Sequence, residues 1–600
     1  MAEPIPVTDY KDLSKIYTGR KQHRDPAKSK PKPVFALDTE TRNGDIFLIA
    51  DSEGNFEDKI TLDSVIRFLF SKRYQQSWNF FYNLEYDAGS ILKLLGSRLN
   101  IYKNTRILSF DYNQFKFTYI SKKCLRITKG HHSVSFYDIM QFYDNQKLDV
   151  AYQNNIGELS SEYLEMKNKR KIFSTRYYNR NKNKVRDYCI QDCTNTKQLS
   201  KKWIDLFHDA FSFYPLKWFS SGYLAEKVLI NNGIHFPKFD SIPYEIQDMA
   251  LRSYVGGRFE MTKRGFIGES YIYDINSAYP FALTKIPDLS NGKWIRRKSI
   301  HDKSKLGFFR ILADIPDDKY VSPFPFKAKS DLVFPTGKFE TYVTLAELES
   351  CENDSWYEIL DSYQFVPNSN YYPYKKFIES MYQKRLELKN QNNPLQLPLK
   401  IILNAIYGKT GQKVNRIMGN LFNPVIFASI TGHTRAQLYQ CMIDNKIERN
   451  IVAFATDSIC TSKKLSLDSA KLGEFSFDNM ADDTVFFQNG LYRMNGKWKQ
   501  RGLGKTDGKE IDSFETFEKD DKLYIKYNVL KNSTLKSSII HGKIDDIGRI
   551  KPSVKKINLN GDKKRLWLGR INSVTDKITN DSMPLSLNHM TKEQIHLSKF

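Results

Sequence analysis

Cysteine is scarce: six residues in 600, none of them in a CxxC pair. Cys124, Cys189, Cys193, Cys351, Cys441 and Cys460 therefore suggest no disulfide framework. Cys189 and Cys193 can share one helix face, but no further Cys or His pair lies close enough to complete a zinc set. Also lacking is any uncharged apolar run of about 18 residues or more, the length a membrane-spanning helix needs; mean hydropathy is −0.54. The opening stretch MAEPIPVTDYKDLSKIY has no apolar segment and carries Glu3, Asp9 and Asp12. Neither a secretory signal nor a transit peptide is expected from it, so the expectation is a soluble intracellular chain without a membrane partner. No internal repeat or long low-complexity segment is present.

Acidic residues are outnumbered, 68 against 92 basic ones, leaving a net charge of +24. Such an excess favours a polyanionic partner, and 40 Phe, 35 Tyr and 7 Trp offer stacking surfaces for bases. A lysine-rich proteome would produce the same excess, so charge alone does not choose. Apolar residues at 40% suffice for sizeable cores and exclude a wholly disordered chain. At roughly 150 residues per domain, about four structural units are expected.

A basic, proline-containing arm, Arg20 to Pro33, precedes a first strand at Val34 to Leu37. Strand-like and helix-like runs then alternate to about residue 210, which reads as an α/β domain. Pro215, Asn231-Asn-Gly233, Pro237 and Pro243 break the pattern and mark the main boundary. Beyond it come Tyr254-Val-Gly-Gly257, a strand ending at Asp274, and a β-rich stretch from about 306 to 345. Helical patterns run from Tyr374 to Asn390 and from Leu397 to Tyr407, separated by Asn392-Asn-Pro394. An apolar strand, Ile451 to Phe454, follows, and the last hundred residues are weakly periodic.

Chemistry-bearing residues fall in two sets. In the first half, Asp38-Thr-Glu40 sits where the first strand is expected to end, and strand period two puts both acids on one face. Paired carboxylates repel unless a cation such as Mg²⁺ lies between them. A solvated strand-to-turn corner would yield the same DxE. Asn83-Leu-Glu-Tyr-Asp87 adds an acid after an aromatic run, and Tyr188-Cys-Ile-Gln-Asp192 pairs Tyr and Asp at i,i+4 on a helix. Four acids and a tyrosine could hold two metals and orient a water against a phosphodiester.

In the second half, Asp274-Ile-Asn-Ser-Ala-Tyr279-Pro and Ala455-Thr456-Asp457-Ser each follow an apolar strand. Only a fold can unite Asp274 with Asp457; united, they could hold two metal ions against a triphosphate and a 3′-hydroxyl. Between them Lys400, Asn404 and Tyr407 form a stripe at i, i+4, i+7, closed by Gly408. An ordinary amphipathic helix has the same spacing. A lysine there can neutralise phosphate and a tyrosine can stack on a base, with Arg385 a second cation on the preceding helix.

The ordered set resembles family B DNA polymerases. DxE, NxxxD and YxxxD resemble the 3′–5′ exonuclease domain, and the segments at 274, 400 and 457 resemble polymerase motifs A, B and C. Tyr254-Val-Gly-Gly257 resembles the YxGG element of the protein-primed branch, which serves phages, other viruses and linear plasmids. The resemblance runs from about residue 34 to about 505. It implies an α/β and α+β multidomain architecture, a ribonuclease-H-like exonuclease domain followed by a right-hand polymerase of palm, fingers and thumb. The expected divisions are an N-terminal arm (1–33), exonuclease (34–235), linker with YxGG and first palm segment (236–300), palm insertion (301–370), fingers (371–418), second palm segment (419–505) and thumb with C-terminal region (506–600).

Carried over residue by residue, the resemblance implies Asp38, Glu40, Asp87 and Asp192 as exonuclease metal ligands, Tyr188 orienting the water, and Asn83 on the frayed primer end. It implies Asp274, Asp457 and the Ile275 carbonyl as polymerase metal ligands and Tyr279 as the residue that excludes a ribose 2′-hydroxyl. Arg385 and Lys400 would grip the triphosphate, Asn404 and Tyr407 line the nucleotide pocket, and Tyr254, Gly256, Gly257, Thr456 and Tyr492 contact DNA. It further implies two Mg²⁺ per site (Mn²⁺ as substitute), primer–template DNA and dNTPs as partners, a terminal protein docking on 301–370, and a monomer. The host cytoplasm is the expected location, or a mitochondrion for a linear plasmid.

Three departures stand out. Motif C usually reads DTDS, whereas this chain has Ala455. The downstream KxY element reads Gly490-Leu-Tyr492, its lysine missing although Lys497, Lys499 and Arg501 are close in sequence. The stretch from Tyr407 to the helix near Thr431 is short, so a template-encircling hairpin is expected to be reduced or absent. Against the leading reading stand a polymerase extending ordinary primers, a lapsed polymerase kept as a DNA-binding scaffold, and a stand-alone nuclease.

Overall fold

The computed structural model describes residues 28–101, 107–169, 175–238, 241–328, 331–414, 417–500, 513–520 and 522–588. Most of the basic arm, and Arg501, lie outside them. The first half is built on an eight-stranded mixed sheet in the order Phe56–Glu57, Asp45–Asp51, Val34–Arg42 (β1), Trp78–Phe81, His132–Asp138, Cys124–Lys129, Phe115–Ile120, Ile107–Tyr112. β1 pairs antiparallel with Asp45–Asp51 and parallel with Trp78–Phe81. Trp78–Phe81 is buried along its whole length, as a strand covered on both faces must be. Helices Leu84–Lys93 (α1) and Lys182–Phe211 (α2) pack against β1.

The expected strand end at Leu37 needs correction. β1 continues to Arg42, so Asp38 and Glu40 stand within the strand, opposite Ala50 and Leu48. The reason is the turn that follows. Asn43 and Gly44 have φ of 53° and 81°, the left-handed pair that closes a tight hairpin, so pairing runs up to Arg42 and Asp45.

The second half centres on a nine-stranded sheet. Its main path is Lys497–Gln500, Leu491–Met494, Phe475–Gln488, Lys263–Ile275, Ser458–Thr461, Ile451–Thr456 and Arg258–Met261. We label Lys263–Ile275 β2, Ile451–Thr456 β3, Ser458–Thr461 β4 and Phe475–Gln488 β5. Beside it lie the helices Ala278–Thr284 (α3), Lys375–Asn390 (α4), Gln396–Thr410 (α5) and Pro424–Asp444 (α6), with α4 packed on α5. A separate four-stranded sheet, ordered Gly292–Arg296, Tyr357–Pro367, Leu306–Ile315, Gly337–Thr344, occupies the expected insertion. It starts before residue 301, because Gly292–Arg296 forms its edge strand. Between α5 and α6 the described residues form one short ladder, Lys413–Val414 on Ile417–Met418.

The C-terminal region is not one unit. Glu515–Lys519, Lys522–Asn532 and Ile550–Asn558 form their own sheet, whereas Thr579–Pro584 pairs with the start of β2 and carries Arg565–Trp567 with it. Weak periodicity hid this return, which buried charge secures. Glu260 receives Arg565 Nη1 at 2.7 Å on one oxygen and Arg258 Nε at 2.9 Å on the other, all three fully enclosed. Removing one partner of such a set leaves an uncompensated buried charge.

The same region also reaches the first half. Leu535, Ile539 and Ile547 join the apolar cluster that holds Leu37, Phe81 and Ile91. Gly44 and Gly548, both at positive φ, meet there backbone to backbone: a Cβ on Gly44 would lie 1.9 Å from the Ile547 carbonyl oxygen. Gly44→Ala is therefore expected to lower the melting temperature, because strain and clash together cost about 1–3 kcal/mol. Calorimetry checks this, and an unchanged transition would mean that the hairpin and the C-terminal region do not touch.

Candidate active sites

The first-half acids converge. Asp38 and Glu40 stand on β1, Asp87 one turn into α1, and Tyr188 and Asp192 one turn apart on α2. Asp87 is buried and accepts from the Thr39 backbone N–H at 3.2 Å and the Thr39 hydroxyl at 2.6 Å, so the residue between the two strand acids fixes the third. Burial, then the charges of Asp87, Asp192 and Glu40, hold Asp38 well above the usual carboxylate range. Burial pushes Asp87 up to about 7 despite the Thr39 bonds. Tyr188 is raised by burial and by Asp192 and Glu40. Asn83 sits at the N-cap of α1 with φ of 65°.

Sequence reasoning missed two supports of this cluster. Tyr163 donates to Asp192 at 2.5 Å and stacks on Tyr188 with centroids 5.4 Å apart. Asp138, at the end of its strand, accepts the Asn83 N–H at 3.1 Å and the Met140 N–H at 3.0 Å, which anchors the start of α1. Burial raises it to about 7. A strand-end acid was visible at 138, but nothing marked it off from other such acids, and nothing in the sequence linked Tyr163 to Asp192.

In the second half, Asp274 lies near the end of β2, opposite Ser458 and Ser476, and Asp457 occupies the turn between β3 and β4. The Ile275 N–H donates to the Asp457 carbonyl at 2.9 Å, tying the two strand ends together. Thr456, at φ of 70°, makes the sharp turn that presents Asp457. Asp274 is pushed up to about 7 by burial, then by Asp457 and by Asp478 on β5. Asp478 was missed; a register shift in the β2–β5 ladder sets it beside Asp274, and the sequence does not announce a bulge.

Three tyrosines close the other side. The Tyr279 and Tyr407 rings lie 4.3 Å apart, and the Tyr254 and Tyr407 hydroxyls 3.3 Å apart. Burial and Asp457 raise Tyr279 to about 12. Gly257 is where this cluster meets β3: a Cβ there would stand 3.0 Å from Thr456 Cγ2 and 3.4 Å from the Tyr279 hydroxyl. The Gly256 carbonyl accepts from Arg435 Nη1, and Arg435 Nε pairs with Glu347 at 2.8 Å, both side chains buried. Arg435 is another residue that sequence reasoning passed over.

Four other predicted residues lie on α4 (Arg385), α5 (Lys400, Asn404) and the strand Leu491–Met494 (Tyr492). Arg385 Nη1 reaches Ser277 Oγ at 3.4 Å, one residue before α3, and burial lowers its pKa. Lys400 is 40% exposed and its Nζ lies 3.9 Å from Asp144 of the first half, while Asn404 is exposed. Tyr492 stacks on Phe486 at 4.6 Å and packs in the apolar cluster that holds Ile272 and Cys460. Gly490, at φ of 93°, forms the turn before it, which accounts for a glycine at the lysine position of KxY. All six cysteines are free and buried. Among the described residues no helix is long and apolar enough to cross a membrane.

An acid-lined mixed sheet in the first half, followed by a second sheet with two aspartates at adjacent strand ends, is a DNA polymerase class of fold. Solved structures share it. The phi29 DNA polymerase complexed with primer–template DNA and incoming nucleotides has a TM-score of 0.58 at 13% identity, covering 88% of this chain and 100% of that one. Its orthorhombic crystal form has a TM-score of 0.54 at 14% identity, covering 79% and 90%. The family described as DNA polymerase type B, organellar and viral, matches residues 72–419, more than half of the chain, and the chain belongs to that family. The DNA polymerase of Acidianus bottle-shaped virus (isolate Italy/Pozzuoli) is 25% identical over 440 residues, 70% of this chain and 64% of that protein. The match thus spans slightly less than two thirds of that relative.

Proposed function

We propose that the chain is a DNA-directed DNA polymerase with 3′–5′ proofreading, primed by a terminal protein. The observation that carries this reading is the tie between Asp274 and Asp457 at adjacent strand ends, facing a tyrosine cluster built from three distant segments. Carboxylate donors fit hard divalent ions, Mg²⁺ first and Mn²⁺ as substitute. Asp38, Glu40, Asp87 and Asp192 would hold them in the first half; Asp274, Asp457 and the Ile275 carbonyl would hold them in the second. Such ions supply charge neutralisation of the phosphates and a more acidic hydroxyl or water. The protein's own groups do the rest. Tyr279 and Tyr407 form an aromatic floor, Arg385 is a half-buried cation for phosphate, and Tyr188 stands beside Asp192 to orient a water. Exonuclease (34–235), fingers (371–418) and the insertion at 301–370 as terminal-protein dock, whose sheet begins at Gly292, remain parts of this proposal.

The test is a 5′-labelled primer–template with purified protein and Mg²⁺, with and without dNTPs. Extension with dNTPs and shortening without them supports both activities; shortening alone would mean that Ala455 has cost the synthetic site. Adding a small protein with a usable Ser, Thr or Tyr hydroxyl, encoded beside the polymerase, separates protein priming from ordinary primer extension. Labelled nucleotide attached to that protein is the supporting result.

Two further results are expected. Tyr279→Val should relax discrimination against ribonucleotides by on the order of 10- to 100-fold, the range a small steric difference in a pocket commands. Competing incorporation of dNTP and rNTP measures it, and an unchanged ratio would remove Tyr279 from that role. The second concerns pH. Asp274, Asp87 and Asp138 rise from 3.8 to about 7 in the folded chain. Their contribution to stability is therefore present below the unfolded value and is lost as pH climbs through the folded one. A divalent ion relieves the repulsion once the acids ionise. Mg²⁺ should thus raise the melting temperature more at about pH 8 than at about pH 6; equal shifts would contradict the ligand assignment.

A further inference from the structure

Cys189 follows Tyr188 on α2 and has no part in the reading above. Its buried thiol lies against β1, with Sγ 3.8 Å from the Asp38 carbonyl oxygen and 4.0 Å from Asp38 Oδ2. One ligand atom from each of Asp38, Glu40 and Cys189 lies within 4.8 Å of the other two, and among the described residues this is the sole such group. The placement follows from the helix crossing. Tyr188 and Asp192 are one turn apart on the face turned to β1, and residue 189 sits beside that face, next to Asp38.

Two of these donors are hard oxygens and the third is soft sulfur. Mg²⁺ takes oxygen at about 2.1 Å and has little use for a thiol. Zinc-like ions instead accept sulfur at about 2.3 Å and oxygen at about 2.0–2.2 Å, which at a tetrahedral angle sets S and O roughly 3.5 Å apart. A shift of about half an ångström from the observed 4.0 Å achieves that spacing.

We propose that Cys189 makes the Asp38–Glu40 site a mixed oxygen–sulfur site that captures thiophilic divalent ions such as Cd²⁺, Zn²⁺ or Co²⁺. Binding forms a metal–sulfur bond, releases the thiol proton to solvent and displaces water from the ion, with no change of oxidation state. The proposal rests on Asp38 and Glu40 being metal carboxylates, as proposed above. The second-half acids form no comparable group with a cysteine among the described residues. Thiophilic ions should therefore compete with Mg²⁺ at the first-half site at lower concentration than at the second.

The test uses the full chain and a Co²⁺ titration followed by thiolate-to-cobalt charge-transfer absorption in the near ultraviolet. Cd²⁺ and Mg²⁺ affinities are measured by calorimetry on the same samples. The wild type should show the band, Cys124→Ser, which alters a buried thiol away from this site, should keep it, and Cys189→Ser should lose it. The ratio of Cd²⁺ to Mg²⁺ affinity should fall in Cys189→Ser by at least the roughly tenfold that loss of even an outer-shell partner costs. Cys189→Ala, with its melting temperature, serves if the serine variant fails to fold. A cobalt complex without the band, or a band that survives Cys189→Ser, overturns the proposal. Asp38→Asn separates the two levels: sulfur-free binding that it abolishes sinks Cys189 alone, whereas binding and excision that it leaves intact sink the carboxylate assignment as well.

Discussion

Asp457→Ala is expected to abolish primer extension while leaving primer shortening in Mg²⁺ intact. The carboxylate sits in a two-strand turn whose backbone is held by the Ile275 N–H, so the substitution removes charge without loosening the strand ends. A metal-held charge clamp contributes several kcal/mol to a transition state. At about 1.4 kcal/mol per tenfold, the rate should fall on the order of 1,000-fold or more. Asp274 also loses one of the two charges that raise its pKa, leaving Asp478 as the other. Asp457→Asn separates charge from shape and should be nearly as damaging. If extension persists in both variants, Asp457 is not the principal acid of the synthetic site. If both activities vanish together, the fold has failed, and a melting curve would say so.

The order of motifs along the chain was readable because each one follows an apolar strand or lies on an amphipathic helix, and those patterns survive without tertiary context. Asp274 at a strand end and Asp192 one turn from Tyr188 are of this kind. Long-range choices were not readable. Whether residues 565–584 return to the large sheet depends on an Arg565–Glu260 pair that no local pattern encodes. Asp478 needs a bulge, and Tyr163 needs a helix packed across another. The extension of β1 past Asp38 was a different kind of miss. Its signal, Asn43-Gly44, was in plain view, but the carboxylates suggested a turn five residues too early. On α5 the spacing left open what each residue of the stripe faces: Tyr407 meets Tyr254 and Tyr279, whereas Lys400 Nζ lies 3.9 Å from Asp144.

Asp38→Ala is expected to suppress excision on the order of 1,000-fold and to leave extension of a matched primer at its wild-type rate, again as several kcal/mol of metal-held charge. Its surroundings make it the acid to test. It stands within β1 and not at a loose end, and its pKa is raised by burial and by the charges of Asp87, Asp192 and Glu40 together. Removing it therefore relieves repulsion, so the metal-free variant should be at least as heat-stable as the parent even though it would lack the proposed ligand. That pairing of lost activity with retained or raised stability is what a metal site predicts and what a structural carboxylate does not. A single-stranded labelled oligonucleotide measures excision, and a mismatched primer end shows its consequence, since mismatches should be extended after they are no longer removed. Intact excision in the variant would place the nuclease chemistry elsewhere. A falling melting temperature would instead make Asp38 a structural residue and leave the cluster around Asp87, Asp192 and Tyr188 without its centre.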